Sequence, residues 1–133
     1  MSYLIDSHIA IWMVTQPYLI KTNIRDILLN TDNQILISTV SFWEISLKYS
    51  LGKLNIIGAS PEIFKRELDV ACQVNILDLK LEDTLSFYKL HTFHHKDPFD
   101  RMLVWQAIQN SLTFITDDEY IHMYKDCGLK VIW

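Results

Sequence analysis

The chain has 133 residues, half of them hydrophobic, with 21% charged and a formal net charge of −4. That length suits a single domain over residues 1–133 with one core, and the apolar content excludes a disordered chain. The acidic balance excludes a generally cationic nucleic-acid binder, so nucleic acid would have to bind through a local basic strip or through metal ions. Cys72 and Cys127 show no metal or redox spacing, as expected of a reduced, cytoplasmic protein. Asp6 follows only five residues, with no basic segment leading into a long apolar run, so no signal peptide is expected. The apolar stretch 9–14 is too short to cross a bilayer, and no membrane association is expected.

Residues 2–5 read as a short buried strand ending at Asp6. A helix over 7–15 follows, and Pro17 breaks it. A second helix is predicted over 19–30, with Ile20, Ile24, Ile27 and Leu28 on one face. Thr31-Asp32-Asn33 is a turn, and 34–38 is a second strand. The next helix runs from Thr39 to Leu51, where Gly52 stops it. Its predicted inner stripe is Val40, Glu44, Leu47 and Leu51, an apolar row interrupted by one acid. Ser60-Pro61 opens a helix carrying Phe64 and Leu68, with serine as N-cap and proline at the first helical position.

A third strand over 74–79 and a helix over 81–91 come next, then a loop over 92–96. Asp97-Pro98-Phe99-Asp100 starts a helix that continues to about Asn110. Asp100 shares a helical face with Leu103, Val104 and Ala107, so a carboxylate points inward. A buried-side charge is costly unless it is paired or binds a metal. A strand over 112–116, a short helix over 118–124, a turn at Cys127-Gly128 and a strand over 129–133 complete the chain. Strands that are continuous apolar runs, alternating with helices, predict a parallel sheet covered on both faces.

In such a sheet, ligands collect beyond the carboxyl ends of the strands. Asp6 ends the first strand, and Ser38 ends the second with Glu44 shortly after it. Asp97 and Asp100 open the helix leading to the fourth strand, which ends at Thr116, Asp117 and Asp118. Each acid has a local alternative. Asp6 and Asp97 can cap helices, Ser41-x-x-Glu44 and Thr116-x-x-Glu119 match capping boxes, and Asp117 competes with Asp118 for one role. Clustered carboxylates repel by roughly 4 kcal/mol per pair at about 4 Å and an effective dielectric near 20, so such a cluster calls for protons or cations. Hard cations, Mg²⁺ or Mn²⁺, suit all-carboxylate sites and are the usual tools for cutting phosphodiesters.

These residues also resemble a known family. Tyr3-Leu-Ile-Asp6-Ser-His8, Ser38-Thr-Val-Ser41-Phe-Trp-Glu44-Ile, Leu51-Gly-Lys-Leu54, His95-Lys-Asp97-Pro-Phe-Asp100-Arg101 and Phe114-Ile-Thr-Asp-Asp118 are similar to segments of PIN-domain proteins, specifically VapC-type toxins of bacterial toxin–antitoxin pairs. The segments run in family order over nearly the whole length. The resemblance implies a three-layer α/β/α fold with a five-stranded parallel sheet. It implies a Mg²⁺- or Mn²⁺-dependent endoribonuclease that cleaves RNA with a metal-activated water, with Asp6, Glu44, Asp100 and Asp118 as the acidic residues. It favours Asp100 over Asp97 and, through the Thr116-x-Asp118 register, Asp118 over Asp117. Homodimerisation and an antitoxin partner are also implied.

Ser7, Ser38 and Thr116 are candidates for supporting contacts to the ligands or to water. Lys48, Lys53, Lys96 and Arg101 are candidates for RNA phosphate contacts or ordinary solvated charges. His94 and His95 are adjacent on a loop, without further Cys or His at zinc-ligand spacing, and are not expected to bind metal. Two rival functions remain: a non-catalytic module acting through a protein partner, and a receiver-like phosphoacceptor. The latter needs a lysine after a late strand that this chain does not place there.

Overall fold

The sheet is entirely parallel, with strand order β3-β2-β1-β4-β5. Its strands are β1 (Ser2–Ile5), β2 (Gln34–Ser38), β3 (Val74–Leu77), β4 (Thr113–Ile115) and β5 (Lys130–Ile132). The helices are α1 (Ser7–Thr15), α2 (Thr22–Leu29), α3 (Thr39–Ser50), α4 (Pro61–Ala71), α5 (Leu81–Ser86), α6 (Pro98–Gln109) and α7 (Glu119–His122). The computed structural model describes residues 1–56 and 58–133. β1 is central. Leu4 pairs in register with Leu36 on one side and Phe114 on the other.

Alternation of side chains along each strand produces two cores. Tyr3, Ile5, Ile35, Ile37 and Ile115 face one layer, where they meet Ile9 and Met13 of α1, Ile24 and Leu28 of α2, and Phe64 and Leu68 of α4. Leu4, Leu36, Phe114 and Val131 face the other, against Leu103, Val104 and Ala107 of α6 and Tyr124. Because both faces are covered, the central strands are apolar at consecutive positions, as the sequence pattern requires. The edge is different: Ile76 on β3 is 42% exposed.

Several boundaries differ from the periodicity, among them that of α5, which ends at Ser86 and passes into a 3₁₀ turn over Phe87–Lys89 instead of running to 91. Pro17–Leu19 is a separate 3₁₀ turn, so α2 begins at Thr22. β3 stops at Leu77, and α7 gives way to a 3₁₀ turn over Met123–Cys127. Gly128 follows with φ 92°, a left-handed conformation open to glycine without steric cost. α3 also departs from its predicted stripe. Its buried residues are Val40, Ser41, Glu44 and Ile45, whereas Leu47 and Leu51 are exposed. The reason is placement. α3 gives Ile45 to one core and Val40 to the other, so its first turns bridge the two layers and residues 47–51 project into solvent.

Candidate active site

The carboxyl end of β1, the helix α3, the start of α6 and the segment after β4 surround a cleft of about 420 Å³. Asp6, Glu44, Asp97, Asp100 and Asp118 all line it, together with Ser7, His8, Lys48 and Lys53. Four elements far apart in sequence therefore deliver acids to one place.

Local folding fixes each of them. Asp6 is the N-cap of α1 and accepts from Ser7 N (2.7 Å), while its second oxygen accepts from Thr116 Oγ1 (2.7 Å). Thr116 in turn accepts from Asp118 N (3.1 Å), which ties the ends of β1 and β4 together. Thr116 therefore does not cap α7; Asp118 does, through one oxygen, accepting from Tyr120 N (2.9 Å). Asp97 caps α6 in the same way, with Oδ1 accepting from Phe99 N and Asp100 N. In both caps one oxygen serves the helix and the other is left for the cleft. The capping-box reading of Glu44 gives way, because Ser38 is the N-cap of α3. Glu44 instead accepts from Lys48 Nζ (2.9 Å), one turn further along the helix.

Glu44, Asp97 and Asp100 offer oxygens within 4.8 Å of one another, and His95, Asp100 and Asp118 form a second such triad. Asp100 belongs to both, and Asp6 to neither at this distance. The electrostatic consequence is clear at Asp100. Burial, then the charges of Asp6, Asp97, Glu44 and Asp118, push its carboxyl up to about 8. Burial also raises Asp6, against the opposing influence of His8 and of hydrogen bonds from Thr116 and Ser7. Partial burial acts to lower the Lys48 ammonium, yet its bond to Glu44 and the nearby acids outweigh this and raise it.

The remaining candidates divide. Asp117 turns away from the triads to His8, whose other ring nitrogen lies 3.4 Å from Asp6 Oδ2. Ser38 is fully buried and bonded to Gln106 Oε1 (2.6 Å) and Val40 N; it does not line the cleft. Arg101 is not brought to the cleft either. Its guanidinium donates to Leu90 O and His91 O and lies over the Phe87 ring. Spacing gave no role to His8 or His95. The fold puts His8 against Asp6, and His95 against Asp100 (3.2 Å) and Tyr124 (3.2 Å). The only sequence signal for either was proximity to an acid along the chain.

The donor set fits a divalent cation. It consists of carboxylate oxygens with one imidazole, and the surrounding acids add to burial in raising Asp100. Ser7 Oγ is a second sign. It is buried and without a hydrogen-bond partner among the described residues, and its residue lines the cleft.

A family model described as PIN domain matches residues 3–125. Among solved structures, the fold is similar to VapBC2 from Rickettsia felis bound to a DNA fragment from its promoter, at 20% identity and a TM-score of 0.70, covering 99% of this chain and 98% of that one. It is also similar to DNA-bound VapBC from Salmonella typhimurium (17% identity, TM-score 0.69, 99% and 97% covered). VapBC-1 from nontypeable Haemophilus influenzae is a third (18% identity, TM-score 0.66, 99% and 97% covered). Comparison with curated proteins finds no match. Among the described residues no helix is long and apolar enough to cross a membrane.

Proposed function

Because the chain belongs to the PIN domain family, we propose that it is a divalent-cation-dependent endoribonuclease acting as the toxin of a toxin–antitoxin pair. The observation that carries this reading is the convergence of Asp6, Glu44, Asp100 and Asp118 on one cleft, with Asp100 pushed up to about 8 by burial and by the acids around it. Asp6, Glu44, Asp100 and Asp118 would hold Mg²⁺ or Mn²⁺, with Asp97 supplying its free oxygen. Such a cation, when bound, polarises a phosphoryl oxygen and makes water a better nucleophile.

The chain's own residues do the rest. Thr116 and Ser7 N hold the Asp6 carboxylate in one orientation, so its oxygens need no reorganisation on binding. Lys48 and Lys53, on the same wall, place positive charge where an RNA phosphate enters an otherwise acidic cleft. Lys48 also neutralises Glu44 until substrate arrives. Arg101, committed to two carbonyls, has no part in this. The similar structures are VapBC complexes, which supports an antitoxin as the partner that restrains the activity. We propose a homodimer as the form that acts in the cytoplasm.

The test is RNA cleavage by purified protein with Mn²⁺, set against Asp6→Asn. The variant should retain the fold by circular dichroism and lose cleavage. Equal cleavage by both proteins, in preparations free of contaminating nuclease, overturns the assignment and leaves a binding module acting through its partner.

A further inference from the structure

His95 lies outside the four acids assigned above, yet it is held on both ring nitrogens beside them. Its side chain is 10% exposed. Its ring is stacked on Tyr120, with centroids 6.2 Å apart at 9°, and meets the Tyr124 ring edge-on at 5.9 Å and 67°. Nδ1 lies 3.2 Å from Tyr124 Oη, the hydroxyl of a fully buried tyrosine. Nε2 lies 3.2 Å from Asp100 Oδ2. One nitrogen is thus tied to the scaffold and the other faces the acids. An Nδ1–H donated to Tyr124 Oη leaves a lone pair on Nε2, the tautomer that a metal-ligating imidazole adopts.

Donors sharing an ion at 2.0–2.2 Å stand about 3–4 Å apart. The ligand atoms of His95, Asp100 and Asp118 already lie within 4.8 Å of one another. The second triad, Glu44, Asp97 and Asp100, contains oxygens alone. We propose that His95 Nε2, with Asp100 and Asp118, forms a mixed nitrogen–oxygen site for a first-row divalent transition ion, next to an all-oxygen position and sharing Asp100 with it. The inference rests on the proposed cation dependence and adds selectivity to it. Imidazole nitrogen adds little for Mg²⁺, which takes oxygen ligands and keeps its waters, whereas transition ions bind it well. Ser7 Oγ, buried and without a hydrogen-bond partner among the described residues, lines the same cleft as Asp100 and Asp118 and offers an oxygen there to a hydrated ion.

The probe is Mn²⁺ alone, added to the full-length protein and read by electron spin echo for nitrogen coupling and by calorimetry for affinity. Wild type should show coupling to one imidazole nitrogen. His95→Gln should lose that coupling and weaken Mn²⁺ by at least the ~10-fold that loss of an outer-shell partner costs, with Mg²⁺ affinity unchanged. His8→Gln, which alters the histidine beside Asp6, should keep the coupling. Mn²⁺ binding by wild type without nitrogen coupling, or coupling that survives His95→Gln, overturns this inference and leaves the proposed nuclease standing. Failure of wild type to bind Mn²⁺ at all overturns both. Since the wild-type spectrum needs no substitution, misfolding of a variant does not shield the inference.

Discussion

Substituting Asp100 by Asn should make the cation-free protein more stable as it disables the site. The folded carboxyl sits at about 8, against an ordinary 3.8. Well below pH 3.8 both folded and unfolded chains hold the proton, and the contribution of this group to stability is complete. Between about pH 4 and 8 the folded state keeps a proton that the unfolded chain has lost, so stability falls as pH rises, at up to about 1.4 kcal/mol per pH unit. Above 8 the loss is complete. Asp6 is raised as well and adds the same sign. Asp100 retains 18% of its side-chain exposure, so solvent offsets part of the effect, and a fall of roughly 2 kcal/mol between pH 5 and 7 is expected. Asn is neutral throughout and nearly isosteric. Asp100→Asn should flatten this profile and exceed wild type by about 3 kcal/mol at pH 7.5 in chelator. The assay is urea unfolding at half-unit pH steps, with and without saturating Mn²⁺. Added Mn²⁺ should raise wild type well above its chelator value and move the variant much less, through binding to the folded state alone. Parallel pH profiles for the two proteins in chelator, or a less stable variant at pH 7.5, would refute the electrostatic reasoning.

Thr116→Val keeps the shape of the side chain and deletes the donor to Asp6 and the acceptor for Asp118 N. It should cost about 1–2 kcal/mol of stability. Calorimetry should show Mn²⁺ bound at least about tenfold more weakly, and an unchanged affinity would dismiss Thr116 as an anchor. Leu103→Ala removes a fully buried side chain from the α6 layer and should cost about 3 kcal/mol in urea unfolding. A loss under about 1 kcal/mol would mean that this layer can collapse around the gap.

Much of this architecture is written locally. Ile35-Leu36-Ile37 is apolar at three consecutive positions because both faces of β2 are covered, and that alone implies a helix on each side. Asp97-Pro98 marks the start of α6 because a side-chain cap and a fixed φ act over neighbouring residues. Other features depend on what the fold brings near. The inner face of α3 departs from its apolar stripe because a stripe assumes one contacting surface, whereas α3 meets two layers in its first turns. Arg101 follows Asp100 in the chain, yet at the start of a helix consecutive side chains diverge, and it serves the carbonyls of Leu90 and His91 instead. His95 belongs to a loop with no periodicity to read. Its surroundings are set by Tyr120, Tyr124 and Asp118, more than twenty positions further on.

The central position of β1 has a consequence for synthesis. The first strand of the chain lies between β2, its near neighbour in sequence, and β4, which ends 110 positions after it at the Thr116–Asp6 bond. Chains emerge from the N-terminus and can fold as they lengthen, but a contact of such separation waits for its late partner. Until β4 has been made, Asp6 lacks its Thr116 donor and Asp118 does not yet exist. A ribosome-attached chain that stops short of β4 thus lacks both the Thr116 anchor of Asp6 and the last acid of the cleft. Completion of the sheet and completion of the acid set fall together in synthesis, because Asp118 directly follows β4.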